Sequence, residues 1–218
     1  MKHFKSLKKI KPGIIAVSKP KGPTSFDMVY KLRGLTGVKK IGHAGTLDPL
    51  ASGVLVVGIG REATRKLREI VESEKEYLAT VRFGAESSTD DEAGEKIAVE
   101  VLKKPTREEV EKKLSGFCGS ILQQPPDFSA IKIKGRRAYE IARKGERPKL
   151  KKRRVEVKEI KILKYRWPDL KIKIVSGPGF YVRSLARDLG RKLKVGGYLA
   201  DLERTRVGQF KKSDAIKI

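Results

Sequence analysis

The stretch GHAGTLDP, residues 42–49, places a histidine, an aspartate and two glycines in one short loop. Glycine allows another group to approach the backbone closely, and Pro49 fixes the chain directly after Asp48. The apolar run VLVVGI, which starts at Val54, predicts a buried strand that anchors the far end of the loop. The pattern therefore predicts a rigidly held carboxylate. On spacing alone, the simpler interpretation is a structural loop in which Asp48 caps the next turn and His43 is an ordinary loop residue.

The charge of the chain predicts a polyanionic partner. Lys and Arg number 51 against 26 Asp and Glu, which gives a formal net charge of +25 at pH 7. Surface ion pairs cannot neutralise such an excess. Nucleic acid is favoured over a membrane surface because the basic residues are spread along the chain and are not gathered on one amphipathic helix. A merely soluble basic surface is the alternative.

Other features of the composition narrow the class of protein. No apolar run approaches the roughly 20 residues that cross a bilayer, and the lysine-rich start lacks the pattern of a signal peptide, so we expect a soluble, cytoplasmic protein. The single cysteine, Cys118, has no neighbours at metal-ligand spacing, which predicts a buried, inert thiol and no metal site. The chain contains no Asn and only three Gln, which leads to the hypothesis of a thermophilic source.

Strand and helix patterns alternate along the chain, which predicts an α/β (α+β) fold. Thr106 and Glu109 form the pattern of a capping box and predict the start of one helix. Apolar or alternating runs predict strands at 13–17, 54–59, 77–83, 170–176 and in YLADLERTRVGQF near the end of the chain. The helix SFDMVYKLRGL is expected to begin at a cap on Thr24 or Ser25, with these side chains inward: Phe26, Val29, Tyr30 and Leu32.

The segment between Lys132 and Arg154 carries the densest charge in the chain. It holds twelve Lys or Arg and two Glu, a net charge of +10 over 23 residues. Such blocks are often solvated and mobile. Because apolar residues and Tyr139 are interleaved with the charges, we expect part of the segment to pack and the segment to act as a basic arm that grips phosphates.

Four separated segments resemble the TruB type of pseudouridine synthase: KPKGPTS (19–25), GHAGTLDPLASGVL (42–55), KEYLATVRFG (75–84) and GPGFYVRSLARDLG (177–190). Between them, QPPDFSAIKIKGRRAYEIARKG (124–145) is similar to the RNA-gripping insertion of that family. The likeness spans nearly the whole chain, with the segments in the right order.

The resemblance implies a pseudouridine synthase fold, in which a mixed, largely antiparallel sheet with flanking helices carries a basic insertion, about 124–154, over an active-site cleft. It implies a single catalytic domain over 1–218, without the PUA domain that most family members carry after it. The implied reaction isomerises uridine to pseudouridine at the conventional position 55 in the T loop of tRNA. The implied partner is the tRNA T-arm, and we expect no cofactor, no metal, no membrane, no protein partner and a monomer.

The resemblance also assigns roles to individual residues. Asp48 is the catalytic carboxylate, Tyr77 packs against the target base and takes the C5 proton, and Arg183 is the cation that keeps Asp48 ionised. His43 contacts the flipped nucleotides. Lys19 is also expected among the RNA-binding residues and lies near the site or supports the structure. The remaining expected RNA-binding residues are Lys132, Arg136, Arg137, Tyr139, Arg143 and Arg154.

Alternatives to these assignments stay open at this point. Seen alone, Tyr77 fits a half-buried core residue of a strand. The segment GPGFYVRSLARDLGRKL leads into a predicted amphipathic helix, and Arg183 lies in its first turn, where the helix dipole disfavours a cation. Arg183 therefore either has an anionic partner or is an exposed arginine over the helix end. For the whole chain, the alternatives are a guide-RNA-dependent relative that modifies ribosomal RNA and a non-catalytic protein that binds or folds tRNA.

Overall fold

The structure, a computed structural model, describes residues 10–218. These residues form two compact units. The first contains the described residues up to Tyr77 together with Leu202–Ile218, and the second is Leu78–Asp201. The beginning of the lysine-rich start, residues 1–9, lies outside the described residues.

The chain alternates strands and helices as its sequence predicts. In chain order the elements are β1 (Gly13–Lys19), α1 (Ser25–Thr36), β2 (Ile41–His43), β3 (Ser52–Ile59), α2 (Arg61–Val71), β4 (Lys75–Phe83), β5 (Ala85–Ser87), β6 (Lys96–Ala98), α3 (Arg107–Ser115), β7 (Gly119–Gln123), β8 (Lys132–Ile133), β9 (Arg136–Arg137), α4 (Ala138–Ala142), β10 (Arg153–Arg166), β11 (Asp169–Ser176), α5 (Val182–Lys192), β12 (Gly197–Val207) and β13 (Phe210–Lys211).

The first unit is built around β3, whose residues from Gly53 to Ile59 are all buried. β1 and β2 pair with β3 in antiparallel register, and the end of β12 pairs with it in parallel register through Arg204 and Gly53. A strand buried on both faces reads as the continuous apolar run that the sequence contains. Helix α1 packs its buried side chains with those of β1 and β3 in one apolar cluster.

Helix α1 begins as predicted but faces differently. Thr24 is the N-cap, and it forms a capping box with Asp27. Val29 and Leu32 are buried as expected, whereas Phe26 and Tyr30 are 59% and 71% exposed, so their predicted inward position is wrong. Met28 is buried in place of these two rings. The buried residues of α1 share one face of the helix: Ser25, Met28, Val29 and Leu32.

The second unit holds a sheet with the strand order β4–β11–β10–β7. β10 pairs with both β11 and β7 in antiparallel register. Helix α5 buries almost every side chain over its first turns, and helix α3 begins at the predicted capping box of Thr106 and Glu109. With the parallel pairing of β3 and β12 in the first unit, these pairings confirm a mixed, largely antiparallel α/β fold.

One prediction about the second unit is wrong. Cys118 is exposed, although the sequence predicted a buried thiol. The turn after α3 buries its neighbour Phe117, and the chain then turns into β7, which leaves the thiol on the surface. Among residues 10–218, none of the helices is both long and apolar enough to span a membrane.

Gly53 gives a test of the strand pairing in the first unit. Its φ angle is +108°, and a Cβ atom there would overlap the backbone of Arg204. Gly53→Ala should therefore lower the free energy of unfolding by about 3 kcal/mol, measured by urea denaturation.

Gly34 is the matched control for this substitution. It lies inside α1 with open space around the position of a Cβ, so Gly34→Ala should raise the free energy of unfolding by up to about 1 kcal/mol. A Gly53→Ala protein as stable as the wild type would contradict the close approach of β3 and β12.

Candidate functional site

The GHAGTLDP loop, which begins with the last two residues of β2 and leads towards β3, is fixed by hydrogen bonds on both sides of Asp48. The Ser25 hydroxyl donates to the Leu47 carbonyl at 3.0 Å and accepts from the Leu47 N–H at 2.8 Å. The Pro49 carbonyl accepts from the Gly22 N–H at 2.8 Å. Asp48, which lies between these two anchored residues, is half-buried. The carboxylate therefore has a supported backbone and partial access to solvent.

Lys19 supports the same loop through the hydrogen bonds of its buried ammonium group. Its side chain is fully buried, and its ammonium donates to the carbonyls of Pro20 and Pro23, both at 2.8 Å, and of Pro49 at 3.4 Å. Burial lowers the pKa of Lys19 from 10.5 to about 8, while attraction to Asp48 opposes this shift. The structure gives Lys19 the supporting role and not the predicted RNA contact, because its side chain has no exposed surface.

Arg204, on β12, is the main site residue that the sequence did not predict. Its side chain is only 2% exposed, its Nε donates to the Val54 carbonyl at 2.8 Å and its Nη2 to the Gly45 carbonyl at 3.1 Å. Burial lowers the pKa of Arg204, and attraction to Tyr77 and Asp48 opposes this. Arginine stays charged in proteins. A buried cation therefore lies among the loop, the carboxylate and the phenol.

Tyr77 is buried at the start of β4, so it is a core residue of this strand. Burial raises the pKa of its phenol, and Arg204, which hydrogen-bonds the side chain, acts in the opposite direction. The hydroxyl keeps its proton at neutral pH, because the ordinary value is already near 10. A buried phenol beside a cation and a carboxylate also suits proton transfer.

His43 is half-buried at the end of β2. Burial lowers its pKa below 6.5, and the nearby Arg204 lowers it further. The imidazole is therefore neutral at pH 7, and a neutral ring can stack and form a hydrogen bond without adding charge. These properties suit contact with a nucleobase.

Lys75 is a second buried lysine beside this loop, and the sequence did not predict it. Its ammonium donates to the carbonyls of Val71 at 2.6 Å and Ser73 at 2.7 Å, at the end of α2, where the helix dipole favours a cation. Burial and, to a smaller extent, the nearby Arg204 lower the pKa of Lys75 from 10.5 to about 8. A Cβ at Gly45 would contact Lys75 and Arg204, so both cations lie against the loop backbone.

In the second unit, Arg183 is buried in the first turn of α5. Its Nη1 donates to the Thr89 carbonyl at 3.3 Å, its Nη2 donates to the Phe128 carbonyl at 2.9 Å, and its Nη1 lies 3.6 Å from a carboxylate oxygen of Asp91. An exposed arginine over the helix end is therefore the wrong interpretation, and the expected anionic partner includes Asp91. The role of Arg183 toward Asp48 stays a prediction.

Arg187 extends this buried polar network by one helical turn. It pairs with Asp90 at 2.7 Å and donates to the Gln124 carbonyl at 2.9 Å, which also accepts from the Ser184 hydroxyl at 2.7 Å. Burial raises the pKa of Asp90, while Arg187 opposes the shift. Asp90 lies in the polar segment ESSTDDEAGE (86–95), and neither Asp90 nor Arg187 was a predicted site residue. The sequence pattern that could have indicated this network is the adjacent pair Asp90 and Asp91 together with two arginines four residues apart on one helix.

The basic arm forms a β-hairpin, β8 and β9, followed by the short helix α4. Ala138 is fully buried, so the expectation that part of the arm packs is confirmed. The Arg143 guanidinium lies 5.3 Å from the ring centre of half-buried Tyr139. The other predicted RNA-binding cations are exposed, with Arg154 on β10 and the rest on the hairpin: Lys132, Arg136, Arg137 and Arg154.

The first unit thus brings together a carboxylate, a phenol, a neutral imidazole and buried cations. Such a set can perform nucleophilic or proton-transfer chemistry on a substrate that enters the loop. Within residues 10–218, no group of three or more His, Cys, Asp or Glu is arranged to hold a metal ion.

Two family models cover most of this chain. The N-terminal domain of the TruB family pseudouridylate synthases matches residues 33–182, which contain Asp48 and Tyr77. The chain belongs to the TruB family. The C-terminal domain of tRNA pseudouridylate synthase B matches residues 183–218, which contain Arg183 and Arg204.

Curated TruB relatives match over nearly the full chain. A protein of Corynebacterium glutamicum (strain R), named tRNA pseudouridine synthase B, is 46% identical over 212 residues, which are 95% of this chain and 71% of that protein. A protein of the same name from Synechococcus elongatus is 46% identical over 202 residues, which are 91% of this chain and 68% of that protein.

Solved structures show the same fold. A chain of a Cbf5-Nop10-Gar1 complex superposes with a TM-score of 0.73 at 29% identity, over 94% of this chain and 52% of that one. A chain of an archaeal box H/ACA sRNP Nop10-Cbf5 complex superposes with a TM-score of 0.70 at 27% identity, over 97% of this chain and 55% of that one. The chain spans about half the length of these structural neighbours.

TruB membership makes this chain a pseudouridine synthase, an isomerase. The relatives named tRNA pseudouridine synthase B support isomerisation of uridine to pseudouridine in tRNA. The guide-RNA-dependent and non-catalytic alternatives are not favoured, because the curated relatives at 46% identity are named tRNA pseudouridine synthase B.

The buried Arg204 guanidinium should prove necessary for the order of the loop. Arg204→Met leaves the carbonyls of Val54 and Gly45 without their donor, and we expect it to lower the free energy of unfolding by about 3 kcal/mol. Amide hydrogen exchange in the GHAGTLDP loop should also become faster, as measured by mass spectrometry.

The control for this variant is Arg82→Met. Arg82 makes a two-point ion pair with Asp169, but both side chains are 44% exposed, so the loss should be below about 1 kcal/mol. Equal losses of unfolding free energy in the two variants would mean that the buried contacts of Arg204 stabilise the protein no more than an exposed ion pair does.

The lowered pKa of Lys75 predicts how the stability of the protein depends on pH. Its pKa is about 8 in the folded protein and near 10.5 in the unfolded chain, so between these values the unfolded chain binds more protons and stability rises with pH. In Lys75→Met this rise should be smaller than in the wild type, as shown by urea unfolding at pH 8 and pH 10.

Lys66→Met is the control, because Lys66 is exposed on α2. It should keep the wild-type rise in stability between the two pH values. If Lys75→Met keeps it as well, the ammonium of Lys75 is not held in the buried state described above.

Proposed function

We propose that this chain converts uridine to pseudouridine at the conventional position 55 in the T loop of tRNA, with Asp48 as the catalytic carboxylate. The observation that carries the proposal is the setting of Asp48. Its loop is anchored by Ser25 and Lys19, and Asp48 lies in the field of the buried Arg204 beside Tyr77. The TruB relatives supply the substrate class.

The proposed reaction needs no other reactant. The bond between N1 of the base and C1′ of the sugar breaks, the uracil turns, and C5 bonds to C1′. A proton leaves C5 and a proton is gained at N1, so the product is an isomer of the substrate. Asp48 acts in the first step, at the sugar or at the base, where a fixed carboxylate can attack or accept a proton.

Tyr77 is proposed to pack against the uracil and to take the proton from C5 late in the reaction. Because its hydroxyl is protonated at neutral pH, it takes that proton only as it gives up its own, and N1 of the uracil is the atom that gains a proton. Burial makes a phenolate costly, as the raised pKa of Tyr77 records. The hydrogen bond from Arg204 opposes that cost and stabilises negative charge on the phenol oxygen. Arg204 thereby serves as a positioning residue for both the loop and the phenol.

The target base must leave its stack to reach Asp48, which costs a few kcal/mol. His43 is proposed to contact the flipped nucleotides, since its imidazole is neutral at pH 7 and half-buried. Stacking on the rings of His43 and Tyr77 offsets part of the cost of unstacking.

The basic arm is proposed to hold the T-arm by its phosphates. Lys132, Arg136, Arg137, Arg143 and Arg154 are exposed, as phosphate contacts require. Arg183 remains the proposed site arginine, as the match to the TruB family assigns it. Its hydrogen bond to the Phe128 carbonyl also fixes the chain at the start of the arm.

The broader expectations complete the proposal. We propose a single catalytic domain with an RNA-gripping insertion at about 124–154, which acts as a monomer in the cytoplasm without a protein partner. The scarcity of amide side chains supports a thermophilic source, because Asn and Gln are thermolabile.

The test is incubation of a uridine-labelled T-arm stem-loop with the wild-type protein and with single variants, followed by nucleoside analysis. We expect pseudouridine from the wild type and none above background from Asp48→Asn. Tyr77→Phe should bind RNA but turn over at least about 100-fold more slowly, since general acid–base groups contribute about that much or more. Arg183→Ala should lose most turnover and keep RNA binding.

Asp201→Asn is a matched control for Asp48→Asn, because Asp201 is half-buried and has no assigned role in the reaction. It should keep wild-type turnover. Pseudouridine made by Asp48→Asn would remove Asp48 from the mechanism, and no product from the wild type would remove the proposed function itself. Unchanged turnover in Arg183→Ala would exclude Arg183 from the site.

A further inference from the structure

Helix α1 exposes two aromatic rings where the apolar pattern predicted core positions. Phe26 and Tyr30 are 59% and 71% exposed, and they are the aromatic members among the large hydrophobic side chains exposed in residues 10–218. They lie four residues apart and therefore one above the other on one face of the helix. The two neighbouring rings give this face of α1 an exposed aromatic surface that a flat ligand could contact.

Arg33 continues the same face of α1. Its guanidinium lies 5.6 Å from the centre of the Phe26 ring, in the geometry of a cation–π contact. Its Nε is buried and has no hydrogen-bond partner in the part of the chain that the structure describes. We call Phe26, Tyr30 and Arg33 the α1 stripe.

Open space surrounds the end of the stripe. Gly34 lies one turn after Tyr30 and Gly37 is the C-cap of α1, and nothing lies within 4 Å of the position of a Cβ at either residue. The helix surface beyond Tyr30 is therefore open, whereas the Arg33 guanidinium lies over the Phe26 ring.

The charges around the stripe favour a polyanion as its partner. Four lysines before, on and after α1 are exposed, and the acidic residue of the helix, Asp27, is engaged by the backbone and hydroxyl of Thr24. The exposed lysines are Lys21, Lys31, Lys39 and Lys40. A second copy of this chain would bring another charge of +25 against them, and the cores of protein interfaces are depleted in lysine.

The stripe begins beside the catalytic loop. Ser25, which precedes Phe26, makes both hydrogen bonds to the Leu47 backbone, and Leu47 precedes Asp48. The backbone of Gly22 bonds to Pro49 on the other side of Asp48. The first turn of α1 is therefore attached directly to the loop that carries the carboxylate.

We infer that the α1 stripe binds unpaired bases of the RNA substrate next to the target nucleotide. This inference rests on the proposed function for the identity of the RNA. The rings of Phe26 and Tyr30 stack on the bases, as aromatic side chains do in proteins that bind single-stranded nucleic acid, and Arg33 meets a phosphate. The surrounding lysines add sequence-independent attraction.

The test compares binding and turnover of a full tRNA transcript by the wild type and by paired variants. The double variant Phe26→Ala/Tyr30→Ala should raise the Kd by about tenfold for each ring lost. Its kcat/KM should fall far more than its kcat. Phe26→Tyr/Tyr30→Phe keeps both rings and should keep the wild-type Kd. Phe26→Leu/Tyr30→Leu keeps apolar side chains without rings and should lose affinity as the alanine pair does.

Arg33→Gln separates the phosphate contact from stacking. It should lower the slope of log Kd against log salt concentration by about 1, which corresponds to one phosphate contact. Leu102→Ala/Leu163→Ala is the control, because both side chains are exposed in the second unit, and it should leave the Kd unchanged.

Three results would overturn the inference. They are a wild-type Kd in the folded alanine pair, a wild-type Kd in the leucine pair, and self-association of the wild type that the alanine pair abolishes in sedimentation experiments. Failure of the proposed function is distinguishable from these results, because it is an absence of pseudouridine with the wild type, whereas the inference is judged on differences in RNA binding between variants.

Discussion

The buried guanidinium of Arg204 is the interaction on which the candidate site depends. It donates to the carbonyls of Val54 and Gly45 and so joins the central strand of the first unit to the GHAGTLDP loop. Burying a cation costs several kcal/mol unless hydrogen bonds and opposite charge offset it. Here the two carbonyls, the phenol of Tyr77 and the carboxylate of Asp48 provide that compensation. The same groups are thereby held in fixed relation to one another.

The second unit uses buried arginines in a similar way. Arg183 and Arg187 donate to the carbonyls of Thr89, Phe128 and Gln124, and each is paired with an aspartate. Both arginines lie on α5, one turn apart. Loop carbonyls that no strand or helix satisfies need donors, and a guanidinium offers several in a rigid plane. Arginine-fixed loops are therefore a common feature of both units.

Local signals in the sequence were reliable where the chain itself supplied both partners. Of the two predicted caps of α1, Thr24 is the one that forms, because its partner Asp27 lies three residues away. The burial of Phe26 and Tyr30 was mispredicted, because an apolar residue at helical spacing does not specify which face of the helix meets the core. Lys19 was expected near the site or in a supporting role because it matches the first TruB motif, and its fully buried side chain supports the loop. One feature of the sequence pointed to the burial of Arg204. It lies two residues after the apolar Leu202 in the same strand, and residues two apart face the same side of a sheet.

By itself, the sequence determined the alternation of strands and helices, the helix caps and, through its resemblance to the TruB family, the family and its candidate residues Asp48, Tyr77 and Arg183. These depend on short spacings and residue types, which a linear chain displays. The tertiary structure alone decided that Arg204, about 150 residues from the loop in the chain, is the cation against Gly45 and Asp48. Charge compensation in a buried site depends on distance in space, and the sequence order of β12 and the loop does not encode that distance.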